Sequence, residues 1–268
     1  MSTLTPRSDR VRAVRSLARR SVRERQGLFL AEGPQAVREA LRFAPDLVRD
    51  LYVTDQAADR YAGDLATAHD VRTHRVTEDV LAAMADAQTP QGLLAVCRTP
   101  APALDEVLAA APRLVAVLAH VRDPGNAGTV VRAADAAGAD AVVVSDGSVD
   151  VYAPKTVRST AGSLFHLPVL TGMPVADAVA RLRSAGLAVL AADGTGERTV
   201  DDVDLARPHA WLFGNEAWGL RDDERALADE VVRVPIHGRA ESLNLAMAAT
   251  VCLYASARQQ HDQRSPGR

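Results

Sequence analysis

The chain has 268 residues, of which 47% are hydrophobic, and it carries a formal net charge of −3. This length suits two domains or one large one, with enough apolar side chains for ordinary buried cores. The slightly negative charge excludes a polycation that wraps nucleic acid with its whole surface. No stretch approaches the roughly 20 apolar residues of a membrane span, and the N-terminus lacks the apolar core of a signal peptide. A cytoplasmic protein without membrane contact is therefore expected.

The positive charge is concentrated at the N-terminus. Residues 1–25 contain eight arginines against Asp9 and Glu24. Such asymmetry predicts a basic arm or helix that meets phosphates, with Arg15, Arg19 and Arg23 as candidates for RNA contact. A solvated helix face is the alternative.

Residues 11–98 have the alternating pattern of an α/β unit. After the basic helix, strands are predicted in GLFLAEG, LVRDLYV, GLLAVC and around 71–74, and helices at 34–43, 59–68 and 77–86. Glu32 ends the first strand and Arg38 lies on the following helix. Both are candidates for RNA contact, and a buried turn is the alternative for Glu32.

Residues 99–112 carry Pro100, Pro102 and Pro112 around an alanine-rich segment. This composition is typical of a linker. The predicted organisation is therefore a first domain over 1–98, a linker over 99–112 and a second domain over 113–262.

The second domain opens with a predicted strand, a helix and a second strand, at 114–119, from about Asn126, and at 141–145. Asn126 is predicted as the helix N-cap, and Gly138 as the helix stop. Arg132 interrupts an otherwise small and apolar helix and cannot lose its charge. It either forms a buried ion pair with Glu216 or Asp123, or it contacts an anionic substrate.

The middle of this domain is predicted to hold a strand at 164–167, a helix at 174–185 and a strand at 187–191. The glycines of DGTGERT fail to complete a dinucleotide fingerprint, because Thr199 stands at the third glycine position. No phosphate loop, zinc spacing or nucleophile elbow is present in the sequence. Cys97 and Cys252 are predicted to be reduced, buried thiols, and no metal is expected.

Two polar loops follow neighbouring strands near the C-terminus, at 210–213 and 231–234. Gly214 and Gly219 bracket the first loop, which holds Asn215 and Glu216. The second loop leads to a long helix, for which Ser242 is the predicted N-cap. Open α/β sheets bind ligands at the carboxyl ends of such strands, so a small-molecule site is predicted here.

Three segments, DPGNAGTVVRAADAAG, LFGNEAWGL and VPIHGRAESLNLAMAA, carry a family resemblance. In order and spacing they resemble the motifs of the SpoU/TrmH family, RNA 2′-O-ribose methyltransferases of the knotted SPOUT class. The N-terminal RSLARRSVRERQGLFLAEGPQAVREAL resembles the family's substrate-binding domain. Ala217 and Trp218 depart from the family, which often has a glycine after its glutamate.

The resemblance implies an α/β fold in which a C-terminal trefoil-knot domain follows a smaller N-terminal α/β RNA-binding domain of ribosomal-protein type. It also implies a homodimer that uses S-adenosylmethionine. The positions implied for cofactor binding are Leu212, Phe213, Gly214, Val234, Ile236, Gly238, Ser242 and Leu243. The positions implied for catalysis are Arg132, Asn126, Glu216, Ser242 and Asn244.

The resemblance implies attack of a ribose 2′-hydroxyl on a sulfonium methyl. Arg132 matches the family arginine proposed as base or orienter, but a pKa of roughly 12.5 or more argues against a base, so binding of a phosphate or the hydroxyl is expected. Ribosomal RNA is the first expectation for the substrate, with antibiotic resistance as one possible outcome, and transfer RNA is the second. A non-catalytic RNA-binding module and a nucleotide-dependent oxidoreductase are the competing classes.

Overall fold

The computed structural model describes residues 4–66, 68 and 71–264, with only the backbone for 262–264. The helices are α1 (Asp9–Ser16), α2 (Arg20–Gln26), α3 (Pro34–Phe43), α4 (Asp55–Arg60), α5 (Ala62–Leu65), α6 (Glu78–Met84), α7 (Leu104–Ala109), α8 (Pro124–Ala136), α9 (Pro154–Ser159), α10 (Val175–Ser184), α11 (Asp222–Arg225) and α12 (Leu245–Arg264). The strands are β1 (Leu28–Glu32), β2 (Val48–Val53), β3 (Arg72–Arg75), β4 (Leu93–Arg98), β5 (Leu114–Leu118), β6 (Ala141–Ser145), β7 (Val169–Met173), β8 (Ala188–Ala192), β9 (Arg198–Thr199), β10 (His209–Phe213) and β11 (Glu230–Arg233).

The chain folds into two compact units. The first comprises the chain up to Pro100 together with Asp150–His166, and the second comprises Ala101–Val149 and the chain from Leu167 onward. The described part of the chain contains no helix long and apolar enough to cross a membrane.

The first unit is built on a four-stranded sheet in the order β1-β4-β2-β3. β4 pairs antiparallel with β1 and β2, and β3 adds parallel to β2. The core on one side joins α1, α2 and α6 to the sheet, because Val11, Val14 and Leu17 pack among Val80, Leu81 and strand residues. Thr77 caps α6, its side chain accepting a hydrogen bond from the Val80 amide.

Residues 150–166 complete this first unit, although the sequence placed them in the second domain. The Phe29 ring on β1 lies 5.0 Å from Tyr152 and 6.1 Å from Phe165, measured between ring centroids. The helix α9 packs against β1. Composition along the chain cannot reveal that residues 150–166 belong to the first unit, because the aromatic side chains that cover β1 come from a segment distant in sequence.

The second unit is a seven-stranded parallel sheet in the order β7-β6-β5-β10-β8-β11-β9. Its central strands are buried on both faces, which explains the continuous apolar runs in the sequence. Residues 99–112, predicted as a linker, contain α7. Leu104 and Val107 of this helix lie in the core of the second unit, so most of the predicted linker belongs to a folded element.

Other local predictions differ from the structure. No strand forms at 164–167, where Ser163–Phe165 is a 3₁₀ turn and the strand begins at Val169. Asn126 is not the N-cap of α8, because the Asp123 side chain accepts from the Asn126 amide. Asn126 thereby keeps its own side chain available for other contacts.

Ser242 is likewise not the cap of the last helix. α12 begins three residues later, at Leu245, and the Asn244 side-chain oxygen accepts a hydrogen bond from the Ala246 amide at 2.9 Å. Asn244 therefore fills the capping role, and Ser242 stays in the extended segment before the helix.

The two cysteines are buried thiols, as predicted. Burial raises the pKa of Cys97 and of Cys252 to about 12, so both stay protonated at neutral pH. Neither is poised as a nucleophile.

Candidate functional site

A cavity of about 320 Å³ opens at the carboxyl ends of β8, β10 and β11. The loops that leave these three strands form its walls, together with the first turn of α12. It is lined by Ala192, Asp193, Gly194, Phe213, Gly214, Asn215, Glu216, Ala217, Gly219, Val232, Val234, Ile236, Glu241, Ser242, Leu243, Leu245 and Ala248. This is the place that the sequence predicted for a small-molecule site.

The loop after β10 is held in a tight turn. The backbone groups of Asn215 and Gly219 exchange two hydrogen bonds of 2.9 Å, and a Cβ at Gly214 would lie 2.2 Å from the carbonyl carbon of Gly219. The Asn215 side chain is buried and donates to the His120 carbonyl oxygen at 2.6 Å. Only glycine fits at 214, and the loop leaves no side chain between its backbone and the cavity at that point.

Six of the eight predicted cofactor-binding positions line the cavity: Phe213, Gly214, Val234, Ile236, Ser242 and Leu243. The other two lie elsewhere. Leu212 is fully buried in β10, in the core of the unit, and Gly238 is exposed in the loop between β11 and α12, outside the lining.

The sequence analysis missed Asp193 at the end of β8. Its carboxylate accepts from the Thr195 amide and hydroxyl, at 2.9 and 2.7 Å, and pairs with Arg225 at 3.2 Å. The signal was present in the DG dipeptide that follows a strand, but it was set aside as a failed dinucleotide fingerprint. Asp193 thus adds a carboxylate, held in place by these contacts, to a lining that also contains the apolar Ile236 and Leu243.

A polar cluster joins the three motif segments beside this cavity. The Glu216 carboxylate accepts from the amides of Arg122 and Asp123, at 3.2 and 3.0 Å, and from the Asn126 side chain at 3.2 Å. The Asn126 side-chain oxygen in turn accepts from Asn244 at 3.1 Å. Glu216 thus ties the loop after β10 to the start of α8, and Asn126 ties that helix to the start of α12.

Arg132 lies exposed on α8. Within the described residues it makes no hydrogen bond or ion pair, so the predicted alternative of a buried pair with Glu216 or Asp123 is wrong. The Glu216 carboxylate instead accepts hydrogen bonds from the Asn126 side chain and from two backbone amides. An unpaired guanidinium remains available to an anionic ligand.

The five residues predicted to contact RNA divide into two groups. Arg15, Arg19 and Arg38 are exposed, although Arg38 pairs with Glu39 at 2.9 Å. Arg23 and Glu32 are buried, with 4% and 8% exposure. The structure therefore contradicts an RNA contact for these last two.

Arg23 and Glu32 have structural partners inside the first unit. Arg23 donates to Asp150 at 2.5 Å and to the carbonyls of Leu17 and Ala18. Glu32 accepts from the amides of Asp86 and Ala87 and from Arg158. The buried turn, which was the alternative for Glu32, is the correct interpretation.

The described ranges contain no group of three or more His, Cys, Asp and Glu side chains that could hold a metal ion.

The chain matches the SpoU rRNA Methylase family over residues 113–254 and an MRM3-like substrate binding domain over residues 8–95. It is 35% identical to the 23S rRNA (guanosine(2553)-2′-O)-methyltransferase RlmP of Bacillus subtilis, over 92% of this chain and 96% of that protein. It is 34% identical to the 23S rRNA (uridine(2479)-2′-O)-methyltransferase of Streptomyces viridochromogenes, over 93% and 89%.

Solved structures match over nearly the full length. The crystal structure of the SpoU methyltransferase AviRb from Streptomyces viridochromogenes has a TM-score of 0.83 at 33% identity, covering 96% of this chain and 99% of that one. A second structure of AviRb holds the cofactor AdoMet and matches with a TM-score of 0.82. These likenesses confirm the predicted fold, an α/β SPOUT domain preceded by a smaller α/β domain.

Proposed function

The chain belongs to the SpoU rRNA methylase family, and we propose that it transfers a methyl group from S-adenosylmethionine to a ribose 2′-hydroxyl of 23S-type ribosomal RNA. The observation that carries the proposal is the cavity whose walls are formed by the loops after β8, β10 and β11. The hydrogen-bonded cluster of Glu216, Asn126 and Asn244 lies beside it. Ribosomal RNA is favoured over transfer RNA because the relatives from Bacillus subtilis and Streptomyces viridochromogenes are both named for 23S rRNA. Because the proposed substrate is ribosomal RNA, we infer that the enzyme acts in the cytoplasm.

The residues of the cavity suit S-adenosylmethionine. The apolar residues Val234, Ile236 and Leu243 offer a surface for the adenine ring, and the close turn at Gly214 leaves backbone groups free to approach a ligand. Asp193 and Glu241 add carboxylates that favour a positively charged molecule. When bound, S-adenosylmethionine would supply a methyl group on a positively charged sulfur, which leaves as a neutral thioether.

The protein's own contribution is to position the acceptor. In the transfer, a bond forms between the 2′-oxygen and the methyl carbon while the carbon–sulfur bond breaks, and the hydroxyl proton leaves to water or phosphate. We assign Arg132 to the phosphate beside the target ribose or to the hydroxyl oxygen itself. Asn126, held by Glu216 and Asn244, ties the first turn of the helix that carries Arg132 to the loops beside the cavity.

The outer face of α12 supports a homodimer. Met247, Val251 and Tyr254 are spaced one helical turn apart and are 58%, 39% and 45% exposed, and Leu243 just before the helix is 40% exposed. Three large apolar side chains on one stripe of a helix, with a fourth just before it, are costly to expose to water, and a second copy of the chain would cover them symmetrically. We name these four residues the α12 stripe.

The proposed reaction is tested with purified protein, unmethylated 23S rRNA and S-adenosylmethionine labelled in the methyl group. We expect label in 23S rRNA as a 2′-O-methyl nucleotide, and saturable calorimetric binding of S-adenosylmethionine without binding of a reduced nicotinamide cofactor. Labelling of transfer RNA alone would overturn the substrate assignment. Absence of S-adenosylmethionine binding would overturn the reaction.

A further inference from the structure

Trp218 and Arg122 form an exposed pair at the rim of the cavity. The Arg122 guanidinium carbon lies 5.2 Å from the centre of the Trp218 ring, within the range of a cation–π contact. Trp218 is 46% exposed, which is unusual for the largest apolar side chain, and the flanking Ala217 and Gly219 both line the cavity. The indole therefore sits beside the methyl-donor cavity but outside it.

The pair is held in a fixed position by the backbone. The Glu216 carboxylate accepts from the amides of Arg122 and Asp123, which clamps the loop carrying Trp218 to the segment carrying Arg122. The Arg122 side chain is exposed and has no carboxylate partner among the described residues. An aromatic face and an unneutralised guanidinium thus occur together, close to the start of α8.

We propose that Trp218 and Arg122 form a stacking platform that positions a nucleobase of the RNA substrate at the entrance to the methyl-transfer site. The proposal rests on the proposed function and adds a positioning element to it. Single-stranded RNA is bound by stacking of unpaired bases on aromatic side chains and on arginine planes, with nearby arginines neutralising the phosphates. Stacking tolerates any base, so the platform fixes where the ribose lies and leaves the choice of nucleotide to other contacts.

The chain contains two tryptophans, which makes the platform directly observable. Trp211 is fully buried, so Trp218 supplies the fluorescence that acrylamide can quench. Adding unmethylated 23S rRNA in the absence of S-adenosylmethionine should shield Trp218 and lower the quenching constant of the wild-type protein. The Trp218→Phe variant should show little quenching with or without RNA.

Kinetics separate positioning from a structural role. Trp218→Ala should raise the KM for RNA by about tenfold or more while leaving the affinity for S-adenosylmethionine unchanged, and Trp218→Phe should restore most of the loss. Arg122→Gln should raise the same KM. Arg207→Gln is the matched control, because Arg207 is an exposed arginine of the same unit that pairs with Asp204.

Three results would overturn the platform: unchanged quenching on adding RNA, a loss of S-adenosylmethionine affinity in Trp218→Ala, or a change from dimer to monomer in that variant. The last would identify Trp218 as an interface residue. If the wild-type protein transfers no methyl group, the proposed function fails, and the quenching experiment still decides whether RNA covers Trp218.

Discussion

Arg132 is an exposed guanidinium without a partner in the described part of the chain, and it lies on α8, the helix whose first turn contains Asn126. If it binds the substrate during methyl transfer, Arg132→Ala should lower kcat by about 100-fold or more and leave calorimetric binding of S-adenosylmethionine unchanged. Arg132→Lys should recover only part of the rate, because an ammonium lacks the planar fork of donors. Near-wild-type turnover in Arg132→Ala would remove the assignment.

His209 gives the second unit a pH-dependent stability. The ring is buried between the Arg207 carbonyl and the Ser256 hydroxyl, each 2.8 Å from a ring nitrogen, and burial lowers its pKa below the ordinary value near 6.5. The unfolded chain therefore takes up a proton at a higher pH than the folded chain does. The stabilisation from His209 is complete above about pH 6.5 and decreases as the pH falls through that value.

We expect this effect to appear as a difference between two unfolding series. In urea titrations between pH 7.5 and pH 5, wild-type protein should lose more unfolding free energy than His209→Gln. The difference in unfolding free energy between the two proteins should therefore become smaller as the pH falls. His261→Gln, which alters an exposed histidine of α12, should run parallel to wild type. Parallel curves for His209→Gln would show that His209 is not the titrating group.

At the scale of elements, α12 has two faces with different roles. The inner face holds Ser256, whose hydroxyl contacts both His209 and Trp211 of β10, and the outer face carries the α12 stripe. Met247→Lys together with Val251→Lys should therefore break the proposed dimer without unfolding the subunit. Light scattering should report a monomer, with thermal unfolding close to wild type.

The matched control for this pair of substitutions is Ala176→Lys together with Ala180→Lys, at two exposed positions one turn apart on α10. It should leave the dimer intact. A dimer that survives the two lysines would place the interface on another surface.

Most elements could be predicted from the sequence, and the exceptions have physical causes. The apolar runs of β5, β6 and β10 and the glycine-bounded loop at 214–219 carry local signals that tertiary packing does not override. The capping roles of Asp123 and Asn244 were missed because several residues able to cap stand close together in each segment, and side-chain geometry decides among them. Arg23 and Glu32 resemble surface charges in sequence, and only their partners Asp150 and Arg158 show that they are buried.

At the scale of the whole molecule, the N-terminal region carries a charge of opposite sign to the net charge of the protein. The protein is negative overall, yet α1, α2 and the segment before them carry exposed arginines. If this surface meets RNA phosphates, Arg15→Gln with Arg19→Gln should reduce the slope of log affinity against log salt by about 0.7 for each lost contact. Binding of S-adenosylmethionine should not change.

Arg198→Gln with Arg207→Gln makes a control of equal charge on the second unit, where both arginines already pair with acids. We expect the salt slope of this variant to match wild type. A slope that stays constant in Arg15→Gln with Arg19→Gln would show that the N-terminal helices face away from the RNA.

The first unit is assembled from two stretches that are separated by about 50 residues of chain. Phe29 on β1 meets its aromatic neighbours only in residues 150–166, and Arg23 meets its carboxylate only at Asp150. During synthesis on a ribosome, the N-terminal hundred residues therefore emerge with one face of β1 uncovered and an unpaired buried arginine. This unit reaches its final packing only after the first two strands of the other unit have been made, so the usual order of N-terminal domain first does not apply to this protein.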